Sequence, residues 1–340
     1  MNDTARAQPV PAEFAQALHE LGLADAQQPL TGEALTGGVS SDIWRIDTPN
    51  GPVCAKRALT KLRVAAEWYA PIARNRYEAA WMRVAEAAAP GSAPRVLGQH
   101  EVLGVLVMAY LPPAGHPLWK HQLRDGHADG HTAQAVGRRL AQIHSFSAAQ
   151  PGLAGQFDTD AIFYDIRLEP YLVATAVRHP DLAPQLLALV AQTQANRRAL
   201  VHGDVSPKNI LIGPDGPIFL DAECAWWGDP AFDSAFCLNH LLLKCLWNPP
   251  ASDDLLACFD RLAQAWLDGI DWEDADAAEQ RAATLLPGLL LARVDGKSPV
   301  EYITNDRQRD QVRRVARALL HTPVYRLADI RAAWRQEIQP

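Results

Sequence analysis

The segment Val201–Ile212 contains the residues whose types and spacing are best suited to chemistry. It carries His202, Asp204 and Asn209, and the apolar stretch that follows ends at Asp221. A loop carboxylate can accept the proton of a hydroxyl group or orient that group, while an asparagine side chain and a second carboxylate can hold Mg²⁺ against nucleotide phosphates. Mg²⁺ prefers few carboxylates together with phosphate oxygens and water, so this sparse set of ligands is typical of phosphoryl transfer.

The pattern His-x-Asp-x-x-x-x-Asn, an apolar strand and a final Asp resembles the aminoglycoside phosphotransferase and choline kinase group, which shares the protein-kinase-like fold. The resemblance implies that Asp204 is the catalytic base and that Asn209 and Asp221 are the two metal ligands. It also implies that His202 braces the catalytic loop. The similarity extends over residues 31–240, with the order of its elements intact.

A glycine-rich loop in the N-terminal part agrees with this resemblance. Gly37, Gly38, Ser40 and Ser41 lie between two strand-like stretches, where backbone N–H groups and hydroxyls can approach phosphates closely. Most such turns bind nothing, but Lys56 follows in the next strand and resembles the lysine that neutralises the α- and β-phosphates. The resemblance therefore implies ATP and Mg²⁺ as cofactors.

Two further features complete the nucleotide site that the resemblance implies. Glu78, in the helical stretch after this strand, is predicted to pair with the lysine, and Glu67 is its competitor. The stretch 105–111 resembles the strand and hinge between the two lobes, whose backbone would receive the adenine edge. Met108 would lie beside the base and Tyr110 would belong to the same edge, whereas the alternative for this stretch is a plain core strand.

Departures from protein kinases indicate a small-molecule acceptor. Ser206 stands where kinases acting on Ser/Thr usually have lysine, and Asp221-Ala222-Glu223 replaces Asp-Phe-Gly. The short stretch from there to Asp229 leaves no room for the long activation segment that docks a protein substrate. We therefore expect a small-molecule hydroxyl acceptor and no protein substrate. Glu223 either adds a carboxylate near the metal or the substrate, or accepts a structural hydrogen bond.

The sequence leaves the identity of the acceptor open. The many acids of residues 251–280 would attract a cationic acceptor such as an aminoglycoside or an amino alcohol, or would simply form a solvated helix face. At the end of an apolar helix, Arg293, Asp295 and Lys297 could contact sugar hydroxyls or an anionic group of the acceptor, or only belong to a helix cap. The stretch 220–233 is also similar to the methylthioribose kinase branch, which favours a sugar-like acceptor.

The elements that must position these residues divide into two predicted parts. Short strands dominate residues 1–111, after a helical lead-in over 1–30, whereas helical patterns dominate 112–340. The sequence therefore predicts an α+β fold of two lobes, a small sheet-containing lobe that binds the nucleotide and a larger helical lobe that carries catalysis and the acceptor site. The His-rich stretch 116–131 is predicted to be an exposed loop. Helices are predicted over 131–146, 165–178, 181–196, 232–247, 252–268, 276–293 and 306–320.

Composition excludes several classes of protein. The formal net charge of -7 at pH 7 makes the chain a poor non-specific partner for nucleic acid or anionic lipid. No uncharged apolar run approaches the ~18–20 residues needed to cross a bilayer, and the N-terminus lacks the pattern of a signal peptide. The 5 cysteines include no Cys-x-x-Cys pair, which predicts reduced thiols in a cytoplasmic protein.

Two rival functions are compatible with parts of the sequence. A catalytically inactive nucleotide-binding regulatory module of the same fold would bind ATP without transfer, although the presence of Asp204 argues against it. A metal-dependent phosphoesterase built on His202 and Asp204 would need further His or Asp ligands at fixed spacing, and the sequence shows none.

Overall fold

The N-terminal part of the chain is built on a six-stranded antiparallel sheet. The computed structural model describes residues 8–25, 28–35, 41–59 and 74–339. The strands of this sheet are β1 (Gln8–Pro9), β2 (Thr31–Ala34), β3 (Ser41–Thr48), β4 (Gly51–Ala58), β5 (Val96–His100) and β6 (Val105–Ala109). They lie side by side in the order β1-β2-β3-β4-β6-β5.

Helices make up most of the remaining described residues. In chain order they are α1 (Ala12–Glu20), α2 (Arg74–Ala88), α3 (Trp119–Arg124), α4 (Gly130–Ala148), α5 (Asp160–Phe163), α6 (Ala174–Arg178), α7 (Ala183–Ala195), α8 (Ala231–Trp247), α9 (Ser252–Leu267), α10 (Ala275–Asp295), α11 (Asp306–His321) and α12 (Leu327–Ile338). The helices predicted from residue 131 onward are present with slightly different ends. One of them is divided, because a π-helix over Tyr164–Val173 joins α5 to α6.

Pro49 and Asn50 connect β3 to β4, directly before Gly51, at the point where the sequence has an Asn-Gly hairpin signal. Gly51 begins β4 with φ 104°, a conformation that favours glycine, and Thr48 Oγ1 donates a hydrogen bond to the Gly51 carbonyl at 2.7 Å. From this turn the two strands pair continuously along their length. The pairing places Lys56 in a central strand, between β3 and β6.

The two faces of the sheet are covered by different helices. On one face α1 packs on a small apolar cluster that includes Val105 and Val107 of β6. On the other face α2 packs on β4, β5 and β6, and Leu106 and Met108 join the main core. Because successive strand residues point to opposite faces, β6 contributes to both clusters and separates α1 from α2.

Two helices differ from the sequence-based expectation. The stretch 116–131, predicted as an exposed loop, contains α3, which buries Trp119 and Leu123 completely. These two apolar residues are four positions apart and therefore share one helix face, which outweighs the polar residues around them. The expectation also lacks α12, although its three buried apolar residues have helical spacing.

Two small antiparallel strand pairs carry the segment that the sequence marks as catalytic. β7 (Ala199–Val201) pairs with β10 (Trp226–Gly228), and β8 (Ile210–Gly213) pairs with β9 (Gly216–Phe219). The loop between β7 and β8 is therefore anchored at both ends. Behind it, α8 is buried along nearly its whole length against α9 and α10.

No helix among the described residues is long and apolar enough to span a bilayer.

Candidate active site

The loop after β7 is held by one buried carboxylate. Asp233, in the first turn of α8, accepts the backbone N–H groups of His202 at 2.7 Å and of Gly203 at 2.8 Å. Gly203 has φ 78°, and a Cβ on it would lie 2.7 Å from both Cβ and the carbonyl oxygen of Cys224. Only glycine therefore fits between His202 and Asp204.

The imidazole of His202 ties the loop to the end of β9. Its Nδ1 accepts the backbone N–H of Asp204 at 3.1 Å, and its Nε2 lies 3.0 Å from the Leu220 carbonyl oxygen. The ring packs edge-on against Trp81, with 4.6 Å between the ring centres. Burial lowers the pKa of His202 against the opposite effect of nearby carboxylates. A neutral ring with a proton on Nε2 satisfies both hydrogen bonds.

Three side chains contact Oδ2 of the buried Asp204. Arg167 lies at 3.0 Å, Lys208 at 3.2 Å, and Asn209 donates from Nδ2 at 2.8 Å. Burial raises the pKa of Asp204, but the positive charges of Arg167 and Lys208 outweigh burial and hold the pKa below its usual value. The carboxylate is therefore ionised at neutral pH. All three contacts are to Oδ2, and none of them involves the other oxygen, Oδ1.

Asn209 and Asp221 both lie at the open end of the β8–β9 hairpin. The backbone N–H of Leu220 donates to the Asn209 carbonyl at 2.8 Å, so the residue before Asp221 lies directly opposite Asn209. Asp221 has φ 66° and is the one non-glycine residue of the described chain in the left-handed region. Strained backbone of this kind is concentrated at functional sites.

The oxygens of this pair fit a divalent cation that is bound together with a nucleotide. Nδ2 of Asn209 is engaged by Asp204, which leaves its Oδ1, and Oδ1 of Asp221 contacts Lys56, which leaves its Oδ2. Amide and carboxylate oxygens are hard ligands suited to Mg²⁺, which usually completes its shell with phosphate and water. Within the described residues, no group of three or more His, Cys, Asp or Glu side chains could hold a metal by itself.

Lys56 connects the sheet to the end of the β8–β9 hairpin through two carboxylates. Its Nζ lies 2.9 and 2.8 Å from the two carboxylate oxygens of Glu78 on α2, and it also contacts Oδ1 of Asp221. Burial lowers the pKa of Lys56, but Asp221 and Glu78 outweigh it and the net shift is upward. Burial raises the pKa of Glu78 to about 7, because Lys56 offsets only part of the cost and Asp221 adds repulsion.

Most of the predicted phosphate loop lies outside the described residues. The predicted residues that lie outside are Gly37, Gly38, Ser40 and Glu67. Ser41 is described as the first residue of β3, and its buried hydroxyl has no hydrogen-bond partner among the described residues. The phosphate-binding role of this loop stays a prediction.

Met108 and Tyr110 lie at the end of β6. Met108 is buried in the main core and pairs in register with Cys54 of β4. Tyr110 follows the strand, and the guanidinium of Arg45 lies 5.5 Å from the centre of its ring. The adenine-binding role of both residues stays a prediction.

Glu223 is engaged by a buried arginine of α2. Its Oε2 accepts from Nε of Arg74 at 2.9 Å, and Arg74 also donates to the Leu59 carbonyl at 2.7 Å. The contact joins α2 to the segment that follows Asp221. It supplies the structural hydrogen bond that is one alternative for Glu223, and a role toward the metal or the substrate stays a prediction.

Arg293 is connected to the catalytic loop through a tyrosine. Its Nη1 donates to the hydroxyl of Tyr171 at 3.0 Å, and Tyr171 lies on the same π-helix as Arg167, the partner of Asp204. The guanidinium is buried although it lies near the end of α10. Of the three residues predicted at this helix end, Arg293 is the one that the structure brings toward Asp204.

Asp295 and Lys297 are held by other elements. Asp295 pairs with Arg313 of α11 at 2.7 Å and with His179 at 2.9 Å. Lys297 pairs with Glu169 at 2.5 Å and is half exposed. Neither side chain contacts the catalytic loop within the described part of the chain, so their predicted substrate contacts gain no support.

The acidic stretch 251–280 is occupied by internal contacts. Eight of its acids have a hydrogen bond or an ion pair with another described residue. Asp253 pairs with Arg335 at 3.2 Å and Asp260 pairs with Arg331 at 3.3 Å, both on α12. These contacts favour the paired, solvated helix face over an acidic wall around the acceptor.

Arg167 and Lys208 are the site residues that the sequence analysis misses. Arg167 lies on the π-helix, far from the loop in sequence, and no local pattern signals it. Lys208 lies within the motif itself, where a single 3-10 turn over Pro207–Asn209 returns its Nζ to Asp204. A lysine inside the motif was therefore the sequence signal that could have predicted this contact with Asp204.

The chain matches the model of the phosphotransferase enzyme family over residues 31–277. The match covers more than half of the chain, and the chain belongs to this family. Methylthioribose kinase from Yersinia pseudotuberculosis is 27% identical to it over 254 residues, which are 65% of this chain and 61% of that protein. The match thus spans less than two thirds of the length of that curated relative.

Two solved structures share the fold. Spectinomycin phosphotransferase, solved with ADP and spectinomycin, gives a TM-score of 0.53 at 13% identity and covers 97% of this chain and 100% of its own. Ethanolamine kinase from Plasmodium vivax gives a TM-score of 0.53 at 10% identity and covers 96% of this chain and 87% of its own. The protein-kinase-like α+β fold predicted from the sequence is confirmed.

Proposed function

We propose that this chain is an ATP- and Mg²⁺-dependent phosphotransferase that moves the γ-phosphoryl group to a hydroxyl of a small molecule. The observation that carries the proposal is the convergence of Lys56 from β4, Asp204 and Asn209 from the loop after β7, and Asp221 from the end of β9. A continuous set of contacts joins them. Each of them has the side-chain chemistry that phosphoryl transfer uses. Membership of the phosphotransferase family supports the same conclusion.

The nucleotide is assigned to the space between the sheet and the catalytic loop. We propose that residues 1–111 bind it, with Lys56 on its α- and β-phosphates and Glu78 holding the ammonium in place. Mg²⁺, when bound, neutralises phosphate charge and fixes the γ-phosphoryl group for in-line attack. Asn209 Oδ1 and Asp221 Oδ2 are the side-chain oxygens that would hold it.

The acceptor hydroxyl is assigned to Oδ1 of Asp204, within residues 112–340. Because Arg167 and Asn209 engage Oδ2, the carboxylate is fixed in orientation and ionised before the acceptor arrives. It accepts the hydrogen bond of the hydroxyl, aligns the oxygen for attack, and takes the proton as the new O–P bond forms and the bond to ADP breaks. Catalysis is then mainly positioning and neutralisation of charge.

The acceptor classes that we propose are aminoglycosides, amino alcohols and sugars. The identity of 27% to methylthioribose kinase, together with the similar stretch 220–233, supports a sugar-like acceptor within this set. A protein substrate is not expected, because the chain between Asp221 and Asp229 is too short to form a docking platform.

Release of ADP in the presence of Mg²⁺ tests the proposal. The purified chain is supplied with ATP and a panel of aminoglycosides, amino alcohols and sugars, and the phosphorylated product is confirmed by mass. We expect turnover with at least one acceptor, and we expect Asp204→Asn to lower kcat for it about a hundredfold or more. Chelation of the divalent cation is expected to abolish turnover.

The matched control is Asp215→Asn, which makes the same change in the exposed turn between β8 and β9. We expect this variant to retain the wild-type rate. Full activity of Asp204→Asn would refute the catalytic assignment. ATP binding without turnover of any acceptor would instead indicate the inactive nucleotide-binding module.

A further inference from the structure

Two buried cations near the catalytic loop have no carboxylate partner. Arg293 is 7% exposed, donates to neutral oxygens such as the Tyr171 hydroxyl, and has an unpartnered Nε. Lys244 is 1% exposed, and its Nζ lies 4.3 and 4.5 Å from the ring centres of Trp247 and Tyr302. Neither forms an ion pair with a described residue. A buried charge without a counter-ion is costly, and burial accordingly lowers the pKa of Lys244 to about 7. A ligand of opposite charge would stabilise the guanidinium of Arg293 and the protonated form of Lys244.

His240 adds a further unpartnered polar atom to this group. Its Nδ1 lies 3.1 Å from the hydroxyl of the tyrosine that Lys244 contacts, while its buried Nε2 has no partner among the described residues. Burial first, and then the charges of Arg293 and Lys244, hold the pKa of His240 well below its usual range. Lys208 and Lys120 act in the same direction. Four basic side chains therefore act on one imidazole.

The group adjoins the catalytic carboxylate through one aromatic ring. The guanidinium of Arg167, which contacts Asp204, lies 5.8 Å from the centre of the Tyr171 ring. The guanidinium of Arg293 lies 5.4 Å from the same centre. The Tyr171 ring is therefore shared by the guanidinium that contacts Asp204 and by that of Arg293.

Glu301 supplies a negative charge at the edge of this group of buried basic side chains. Glu301 contacts Lys120, and its side chain is 64% exposed. Lys120 also lines a cavity of about 510 Å³, together with Trp247 and Tyr302. Lys244 thus adjoins this cavity through the two rings that it contacts. Glu301, which acts on Lys244 and Arg293 at longer range, is already engaged by Lys120.

We propose that the acceptor carries an anionic oxygen group, a carboxylate or a phosphate, which Arg293, His240 and Lys244 bind while its hydroxyl lies at Asp204. The inference rests on the proposed phosphotransferase function and narrows its acceptor class. A guanidinium binds such groups through directional, charge-assisted hydrogen bonds, and the unpartnered Nε of Arg293 and Nε2 of His240 supply places for the anion's oxygens.

The test compares acceptors that differ in charge but little in size. Glycerol, aminopropanediol, glycerate and glycerol phosphate form one series, and glucitol, glucosamine, gluconate and glucitol phosphate form another. Calorimetric titration measures the binding of each compound, and ADP release measures transfer to it. We expect at least one acid in each series to bind about tenfold or more tightly than its neutral alcohol. The better of the two acids shows whether carboxylate or phosphate is the preferred group.

Substitutions of Arg293 and Lys244 test whether these residues cause the tighter binding of acids. We expect Arg293→Gln to weaken acid binding about tenfold to a hundredfold and to leave the binding of neutral alcohols and the KM for ATP unchanged. Lys244→Met is expected to have a smaller effect in the same direction. Arg314→Gln is the matched control, since Arg314 is exposed on α11 and pairs with Glu337 at 2.6 Å. Circular dichroism verifies that each variant folds.

The possible outcomes test the anion site and the phosphotransferase function separately. Failure of all acids to bind the wild-type chain more tightly than their alcohols overturns the anion site, and this comparison needs no variant to fold. An equal loss of neutral and acidic ligands in Arg293→Gln overturns it as well. Transfer confined to neutral or cationic acceptors overturns the anion site but retains the phosphotransferase function. Acid binding that depends on Arg293, without ADP release from any acceptor, retains the anion site and refutes the proposed transfer.

Discussion

Replacing Asp233 by alanine tests whether one buried carboxylate holds the catalytic loop. It accepts the backbone N–H groups of His202 at 2.7 Å and Gly203 at 2.8 Å, and His144 Nε2 lies 3.2 Å from it. Alanine would leave two buried N–H donors without an acceptor, each at a cost of about 1–3 kcal/mol. We therefore expect the free energy of unfolding to fall by about 2–6 kcal/mol. Asp233→Asn keeps one acceptor oxygen, so we expect about half of this loss.

Thermal melting followed by circular dichroism measures the effect. For a chain of 340 residues, a loss of this size lowers the melting temperature by on the order of 3–8 °C. Asp215→Ala, in the exposed turn after β8, makes the same change away from the loop, and we expect it to melt within about 1 °C of the wild type. If Asp233→Ala melts at the wild-type temperature, the two hydrogen bonds do not hold the loop and the reasoning is refuted.

Three further substitutions test other contacts of the site. We expect Glu78→Gln to raise the KM for ATP about tenfold in initial-rate measurements, because Lys56 loses a carboxylate that orients it; an unchanged KM would contradict this role. Arg167→Met removes the buried cation on Asp204, and we expect kcat to fall about tenfold or more with the KM for ATP unchanged, whereas a purely structural arginine would change only the melting temperature. Burial lowers the pKa of Lys244 to about 7 from 10.5, so the free energy of unfolding rises with pH between these values, where the unfolded chain binds more protons. Urea titrations at several pH values are expected to show that Lys244→Met flattens this rise, and an unchanged slope would show that the amine is not perturbed.

Local signals in the sequence predict the framework of the fold and the main residues of the site. The stretch Pro49-Asn50-Gly51 specifies the hairpin that carries Lys56, since proline and asparagine favour a tight turn and Gly51 adopts the positive φ that follows it. The spacing of Asp204 and Asn209 within one short loop limits how far apart the two side chains can lie. Features of this kind depend on neighbours in the chain, so a single sequence contains them.

The remaining features depend on partners that are distant in the sequence. Arg167 reaches Asp204 only because a π-helix brings it there, and no pattern of local residues predicts that contact. The acids of residues 251–280 can be counted from the sequence, but arginines of α12 that pair with Asp253 and Asp260 lie much later in the chain. Charge composition therefore suggests an acidic wall around a cationic acceptor, whereas the three-dimensional pairing accounts for these acids without such a wall.

The register of β4 decides on which side of the sheet a buried ammonium group lies. Lys56 points toward α2, while its neighbour Ala55 belongs to the apolar cluster on the α1 side. A slip of one residue would exchange the two sides and place the lysine charge among the aliphatic side chains under α1. The turn at Pro49-Asn50, with Gly51 at its end, fixes this register from about 17 Å away, at roughly 3.3 Å per strand residue. The length of a surface turn thus controls the position of a charge at the centre of the molecule.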